Sequence, residues 1–356
     1  MNNDTPTMHT TRDTNLDLYR GATMMYIVGF IHVIGYWINP YKSNLLSLSL
    51  FVMPMIFYIS GASYALSRPK PYGQYIIGRI KRIVIPLLVY IGIHTLYNTI
   101  KGEIAPQEMI QVASRFIYEI FTDQCPENGH LWYITPYFII AMLLPLMHHL
   151  SLRINQYGAY ALLLATMVGL YFYPNYVLCY GVSTFAGLYY MRNKPYKSIV
   201  TLLLFVAGMA LWIAQGRVWN IQINKFPTTL MYLSYTSCML IIFSQPLKWL
   251  CRQVARIGFI KYMLEQYARH GYVIYLFNIN VITIMHYTYY VLCEKLAPDN
   301  TYILQPMCSL TVITIATLFL MVVVGKIIEP INNLTTRICS LIYHKTLSLF
   351  TPSHKC

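Results

Sequence analysis

The sequence predicts an all-α polytopic membrane protein of about ten transmembrane helices, with the N and C termini cytoplasmic. Composition is the first reason. The 356 residues are 56% hydrophobic and only 11% charged, with a mean hydropathy of +0.47, whereas a soluble domain carries about a quarter charged residues. The second reason is a series of apolar stretches at 16–38, 45–67, 79–100, 130–150, 156–174, 177–191, 197–214, 228–247, 271–292 and 303–328. A helix crosses the hydrocarbon with about 20 such residues; the stretch 177–191 is the shortest fit. The third reason is the placement of the basic residues. With the N-terminus inside, 20 of the 26 Lys and Arg fall in cytoplasmic segments, and only Lys42, Lys101, Arg115, Arg217, Lys225 and Lys295 fall outside. That is the positive-inside bias.

Taken in order, residues 1–15 are polar, and no small-residue cleavage site follows a short apolar core. The first stretch is therefore expected to act as an uncleaved anchor. It reads LDLYRGATMMYIVGFIHVIGYW and carries Asp17, Arg20 and His32 in otherwise apolar surroundings. Charged and ionisable groups in a span are costly and usually mark a pathway or a site. On a straight helix Asp17 and Arg20 are i,i+3 neighbours. His32 lies roughly 18 Å further along, so Arg20 and His32 suit the two ends of a long molecule. The plain alternative is a solvated pair at the helix mouth and a core histidine.

The second stretch contains FYISGASYAL, where Gly61 permits close approach of a helix or a ligand and Ser60 adds a hydroxyl. Before the third comes SRPKPYGQYIIGRIKRIVIPLL; Arg79, Lys81 and Arg82 suit phosphate oxygens, or simply anchor the cytoplasmic face on anionic lipid. Pro86 is placed to kink this span. The segment PQEMIQVASRFIYEIF at 106–121 has helical apolar spacing with charges between, which predicts an interfacial helix. The fourth stretch opens GHLWYITPYF. His130, Trp132 and Tyr133 either form an interfacial belt or make a platform for a sugar ring. The ninth begins RHGYVIYLFNINVI, and the amides of Asn278 and Asn280 in that apolar run need partners or line a cavity. Asn224, Lys225 and Pro227 form an outer loop entering the eighth stretch, and the tail after Pro330 mixes apolar and polar residues.

Composition also excludes functions. The eight cysteines stand singly with no CxxC pair, so no metal site is expected. The net charge of +14 is largely accounted for by the cytoplasmic bias, so no nucleic acid is expected as a partner.

In order along the chain, RxxxLDLYRG with a histidine twelve after the arginine, FYISGASYAL, RIKRIVIPLL, HLWYI, FAGLYY and HGYVIYLFN resemble the motifs of the membrane-bound acyltransferase 3 family. The likeness covers nearly the whole chain. It implies a ten-helix membrane domain over 16–330, between a cytoplasmic segment 1–15 and a cytoplasmic tail 331–356. It implies transfer of an acyl group, most often acetyl, from acyl-CoA to a hydroxyl of a cell-surface or periplasmic glycan, in a bacterial inner membrane. No permanently bound cofactor is implied; acyl-CoA is the donor substrate. His32 would be the general base, and Arg20 would grip the donor. Arg79, Lys81 and Arg82 would hold its phosphates, Ser60 and Gly61 would line the acyl path, and His130, Trp132 and Asn278 would face the acceptor. One position departs: where relatives often carry histidine, this chain has Asn278, which cannot move a proton at neutral pH. A transporter or exporter with His32 as a proton relay is the competing class, although no repeat of five helices is visible.

Overall fold

The computed structural model describes residues 13–33, 35, 43–68, 70–122, 129–193, 198–296 and 306–350. The segment up to residue 12, the end of the tail from 351, Cys125 and Cys356 lie outside the described residues. Among those described there are thirteen α-helices and no strand. They are α1 Thr14–Tyr26, α2 Asn44–Ser47, α3 Met53–Ala65, α4 Tyr72–Ile100, α5 Met109–Thr122, α6 Ile134–Arg153, α7 Gln156–Phe172, α8 Tyr176–Asn193, α9 Ser198–Ala214, α10 Ile221–Lys225, α11 Leu230–Val254, α12 Gly258–Leu296 and α13 Pro306–Phe350. Helices stand on every apolar stretch of the sequence. By length and composition three are sufficient to cross a membrane, Gly129–Arg153, Leu230–Val254 and Met307–Leu341, and Gln156–Phe172 and Ile199–Ala214 are shorter apolar helices.

Capping explains several boundaries. Asp13, Ser43, Asn155, Asn220 and Thr229 each accept a hydrogen bond from a backbone N–H in the first turn of the helix that follows, satisfying donors that have no intrahelical partner. Pro54 sits in the first turn of α3, where its missing N–H costs nothing. The amphipathic segment predicted at 106–121 is a 3₁₀ turn, Pro106–Glu108, followed by α5.

The structure corrects two expectations. The stretch 45–67 is not one helix: α2 and α3 are separated by a non-helical segment, residues 48–52. In apolar surroundings its carbonyls need donors, and tyrosines supply them. Tyr235 donates to Leu48 O at 2.7 Å, Tyr26 to Ser49 O at 3.1 Å and Tyr232 to Leu50 O at 3.2 Å. The first stretch is not a straight α-helix, because residues Ile27–His32 form a π-helical turn. α13 runs on through Pro330 to Phe350.

The chain packs as two compact units, Met1–Tyr72 with Pro136–Arg269, and Gly73–Thr135 with His270–Cys356. In the first, α3 crosses α8 with glycine on both sides. A Cβ on Gly61 would overlap the Thr184 carbonyl, and a Cβ on Gly187 would overlap the Tyr58 carbonyl. Without the lipid-exclusion drive available in water, such close backbone approach is what holds membrane helices together. Beside it Phe57 stacks on Tyr180 at 4.4 Å, and Tyr180 meets Tyr232 edge-on; all three rings are fully buried. In the second unit Tyr272 donates to Ile83 O at 3.1 Å, pinning α12 to α4. Thr135 donates to Ile120 O at 2.9 Å, tying α5 to the start of α6.

The loop before α11 buries a polar cluster. Asn220 donates to Asn44 Oδ1 at 2.9 Å, and Thr229 donates to Asn224 Oδ1 at 2.8 Å. Lys225 is only 8% exposed, with Nζ 4.8 Å from the Phe226 ring centre. Burial pushes its ammonium down to about 8 from the ordinary 10.5. A lysine with a lowered folded-state value destabilises the fold below about pH 8, and the penalty lifts as pH rises to 10.5. Lys225→Met is therefore expected to be more stable than wild type at pH 7, by up to about 3 kcal/mol. Thermal unfolding of both proteins at pH 7 and pH 10 checks this: the gap should shrink with pH, and a constant or absent gap counts against it.

Candidate active site

In the first unit the arginine of the opening motif is held from two sides. Arg20 donates to Asp17 Oδ1 at 3.2 Å and to Ser63 Oγ at 2.7 Å. Asp17 lies one turn earlier on α1, and Ser63 projects from α3. The ion pair is partly open, with side-chain exposures of 34% for Arg20 and 18% for Asp17, so the guanidinium is oriented while one edge remains accessible. Ser63 was not singled out in the sequence; its signal is the i,i+3 spacing from Ser60, which puts both hydroxyls on one side of α3. Gly21, next to Arg20, lies hard against the Leu264 backbone of α12, where a Cβ would overlap the carbonyl. That approach fixes the depth of Arg20. Gly61 faces the α8 backbone, so its missing side chain serves the crossing that carries Ser60 and Ser63.

His32 closes the π-helical turn and is half-buried. A π turn holds an extra residue, so everything beyond it is rotated by about 100° relative to an uninterrupted α-helix. The straight-helix geometry between Arg20 and His32 therefore does not apply. Tyr26 anchors the turn, donating to Ser49 O and stacking on Phe30 with ring centres 5.0 Å apart.

The second unit carries the basic row and the aromatic residues around His130. On α4, Arg79 donates to the Tyr75 hydroxyl at 3.0 Å and lies over that ring at 5.1 Å; Lys81 is half-buried and Arg82 exposed. Near the other end of α4, Tyr90, His94 and Asn98 follow at i, i+4 and i+8 and share a face. Tyr90 donates to Asn280 Oδ1 at 3.1 Å. His94 Nδ1 is 3.4 Å from Asn280 Nδ2, and His94 Nε2 is 3.3 Å from Asn98 Nδ2. His94 stacks on Tyr90 at 5.8 Å and on Phe116 of α5 at 5.6 Å, and those two rings are 6.4 Å apart.

His130 belongs to the 3₁₀ turn Gly129–Tyr133 that leads into α6. Its Nε2 lies 3.2 Å from Leu276 O, Tyr275 donates to its carbonyl, and its ring meets Tyr90 edge-on at 6.4 Å. Trp132 packs edge-on against Tyr133 at 6.5 Å. Asn278 is fully buried and donates to the Tyr275 carbonyl of its own helix, while Asn280, about 200° around α12 from it, is the amide that meets α4. The structure thus brings His130 beside Tyr90, which in turn meets His94 and Asn280, and Arg20 beside Ser63. His94 and Asn98 escaped the sequence reading, although their i,i+4 spacing was visible. Among the described residues no three His, Cys, Asp or Glu side chains converge as a metal-ligand set.

These features describe, among the described residues, an all-helical protein with apolar helices long enough to cross a membrane and an arginine held by two side chains. A family model described as "Acyltransferase domain" matches residues 13–326. The chain belongs to the acyltransferase 3 family and is a membrane acyltransferase. No curated protein and no solved structure matches it.

Proposed function

We propose that this protein moves an acetyl group from acetyl-CoA to a hydroxyl of a cell-surface or periplasmic glycan, in the inner membrane of a bacterium. The family match over residues 13–326 carries this reading. His32 is the general base. It takes the proton of the acceptor hydroxyl as that oxygen attacks the thioester carbonyl; the C–O bond forms, the C–S bond breaks, and the imidazolium returns the proton to the departing CoA sulfur. Imidazole suits both halves because its ordinary pKa lies near working pH. Arg20, oriented by Asp17 and Ser63, engages the donor. Arg79, Lys81 and Arg82 hold its nucleotide phosphates, for which guanidinium forks are the matched geometry. Ser60 and Gly61 border the acyl path, and His130, Trp132 and Asn278 serve the acceptor.

The test is acetyl transfer by purified protein to glycan, read as ester formation by mass spectrometry. Absence of the acetylated product with wild type would send the reading to another acyl group or acceptor. Within it, Arg20→Ala is expected to raise the KM for acetyl-CoA by tenfold or more, the scale of one charge-assisted hydrogen bond, about 1.5–3 kcal/mol. The KM for glycan should not follow. Arg20→Lys should recover only part, lacking the fork. An unchanged donor KM in Arg20→Ala removes the arginine from donor binding.

A further inference from the structure

The hydrogen bonds around His94 have a direction. A neutral imidazole has one N–H and one lone pair, so its two nitrogens cannot both face amide N–H groups. With Tyr90 donating to the Asn280 oxygen, the Asn280 Nδ2 donates to His94 Nδ1. In that tautomer His94 Nε2 carries the proton, and we assign the Asn98 amide that faces it, one turn along α4, with its oxygen toward the ring to receive it. In this assignment the chain runs Tyr90 to Asn280 to His94 to Asn98, and the Asn98 amide nitrogen is turned away from the imidazole.

This arrangement exceeds what helix packing needs. Tyr90 with Asn280, and Tyr272 with Ile83, already join α4 to α12. Asn98 adds nothing to that joint, since it sits on the same helix as His94. What it adds is a pair of oriented N–H donors on a half-buried side chain, and Asn280 contributes another. Beside them lies the Phe116 ring, stacked on His94. Tyr90, Asn98, Asn280 and Phe116 carry no charge, so the cluster is matched to neutral oxygen atoms rather than to phosphate. Oriented amide donors next to an aromatic face suit a polyhydroxylated ring, with its hydroxyl and ring oxygens and its apolar C–H face.

We propose that Asn98 and Asn280, with His94 as their positioning residue, form a sugar-binding subsite for the acceptor, bordered by Phe116. This rests on the glycan-acetylation reading above and names residues that grip the acceptor. His94 is here a neutral relay that fixes the two amides and not a base.

The experiment uses the full-length protein, acetyl-CoA, and surface glycan from cells lacking the protein, stripped of esters by mild base. Asn98→Ala and Asn280→Ala are each expected to raise the glycan KM about tenfold, the scale of one hydrogen bond at the upper end of the neutral range. kcat and the acetyl-CoA KM should stay within about twofold. The isosteric Asn98→Asp is decisive. It keeps an oxygen for His94 Nε2–H but has no N–H to offer, so it should raise the glycan KM as alanine does. If Asn98 only completes the internal chain, Asn98→Asp leaves the glycan KM unchanged, and the subsite is overturned. A matching rise in acetyl-CoA KM overturns it too, by assigning the cluster to the donor. Wild-type protein that acetylates no glycan is a separate failure, that of the reading on which the subsite rests.

Discussion

His32→Ala protein, present in the membrane at wild-type level, is expected to transfer acyl groups about 10²–10⁴-fold more slowly than wild type, the usual contribution of a general base. The side chain is half-buried at the end of the π turn, so its truncation removes a proton acceptor without opening a core cavity. His32→Gln should be nearly as slow, because an amide keeps hydrogen bonding but cannot take the proton. The measurement is the mass profile of surface glycan from cells carrying each protein, together with the initial rate of the purified enzymes. An acetylated profile from His32→Ala equal to that of wild type would sink the assignment and reopen the carrier reading of this histidine.

The second large effect concerns folding. Gly61→Ala is expected to lose about 3 kcal/mol of stability, the upper part of the range for overpacking. The added Cβ meets the Thr184 carbonyl and not the end of a flexible side chain, so α3 and α8 must separate. Separation also relaxes the reciprocal contact of Gly187 on Tyr58. Activity should fall with stability, because α3 carries the Ser63 hydroxyl that holds Arg20. Gly92→Ala is the control: a Cβ there has nothing within 4 Å, and alanine in a helix interior gains about 0.5–1 kcal/mol over glycine. Equal thermal midpoints for Gly61→Ala and wild type in detergent would show that the crossing yields easily.

The positions of the helices were legible because apolar length is a local property. The amphipathic helix α5 was legible too, since charges interrupt an otherwise helical apolar spacing. The break at residues 48–52 was not. Its sequence is apolar and contains no glycine, and the donors that make it tolerable are tyrosines up to 187 positions away. Three of the chain's 33 tyrosines thus serve as donors to that segment. In the candidate site, Arg20 and Asp17 were readable as neighbours, whereas Ser63 depends on how α3 packs. Asn278 and Asn280 looked equivalent as two amides in one apolar run; which of them meets α4 depends on packing across helices. His94 and Asn98 were overlooked because the span around them is apolar enough to be read as a membrane crossing alone.

The widened turn at Ile27–His32 has a consequence for comparing this chain with others. Azimuth and residue count are uncoupled along α1. Arg20 keeps its bearing from Asp17, Ser63 and the Gly21 contact, while the bearing of His32 is set by how many residues the turn absorbs. A chain with the same twelve-residue interval but an unbroken α-helix aims its histidine about 100° elsewhere. A chain one residue shorter, without the bulge, aims it the same way. For this helix, homologous positions are defined by angle about the axis, and an alignment that forbids a gap there pairs residues that point in different directions.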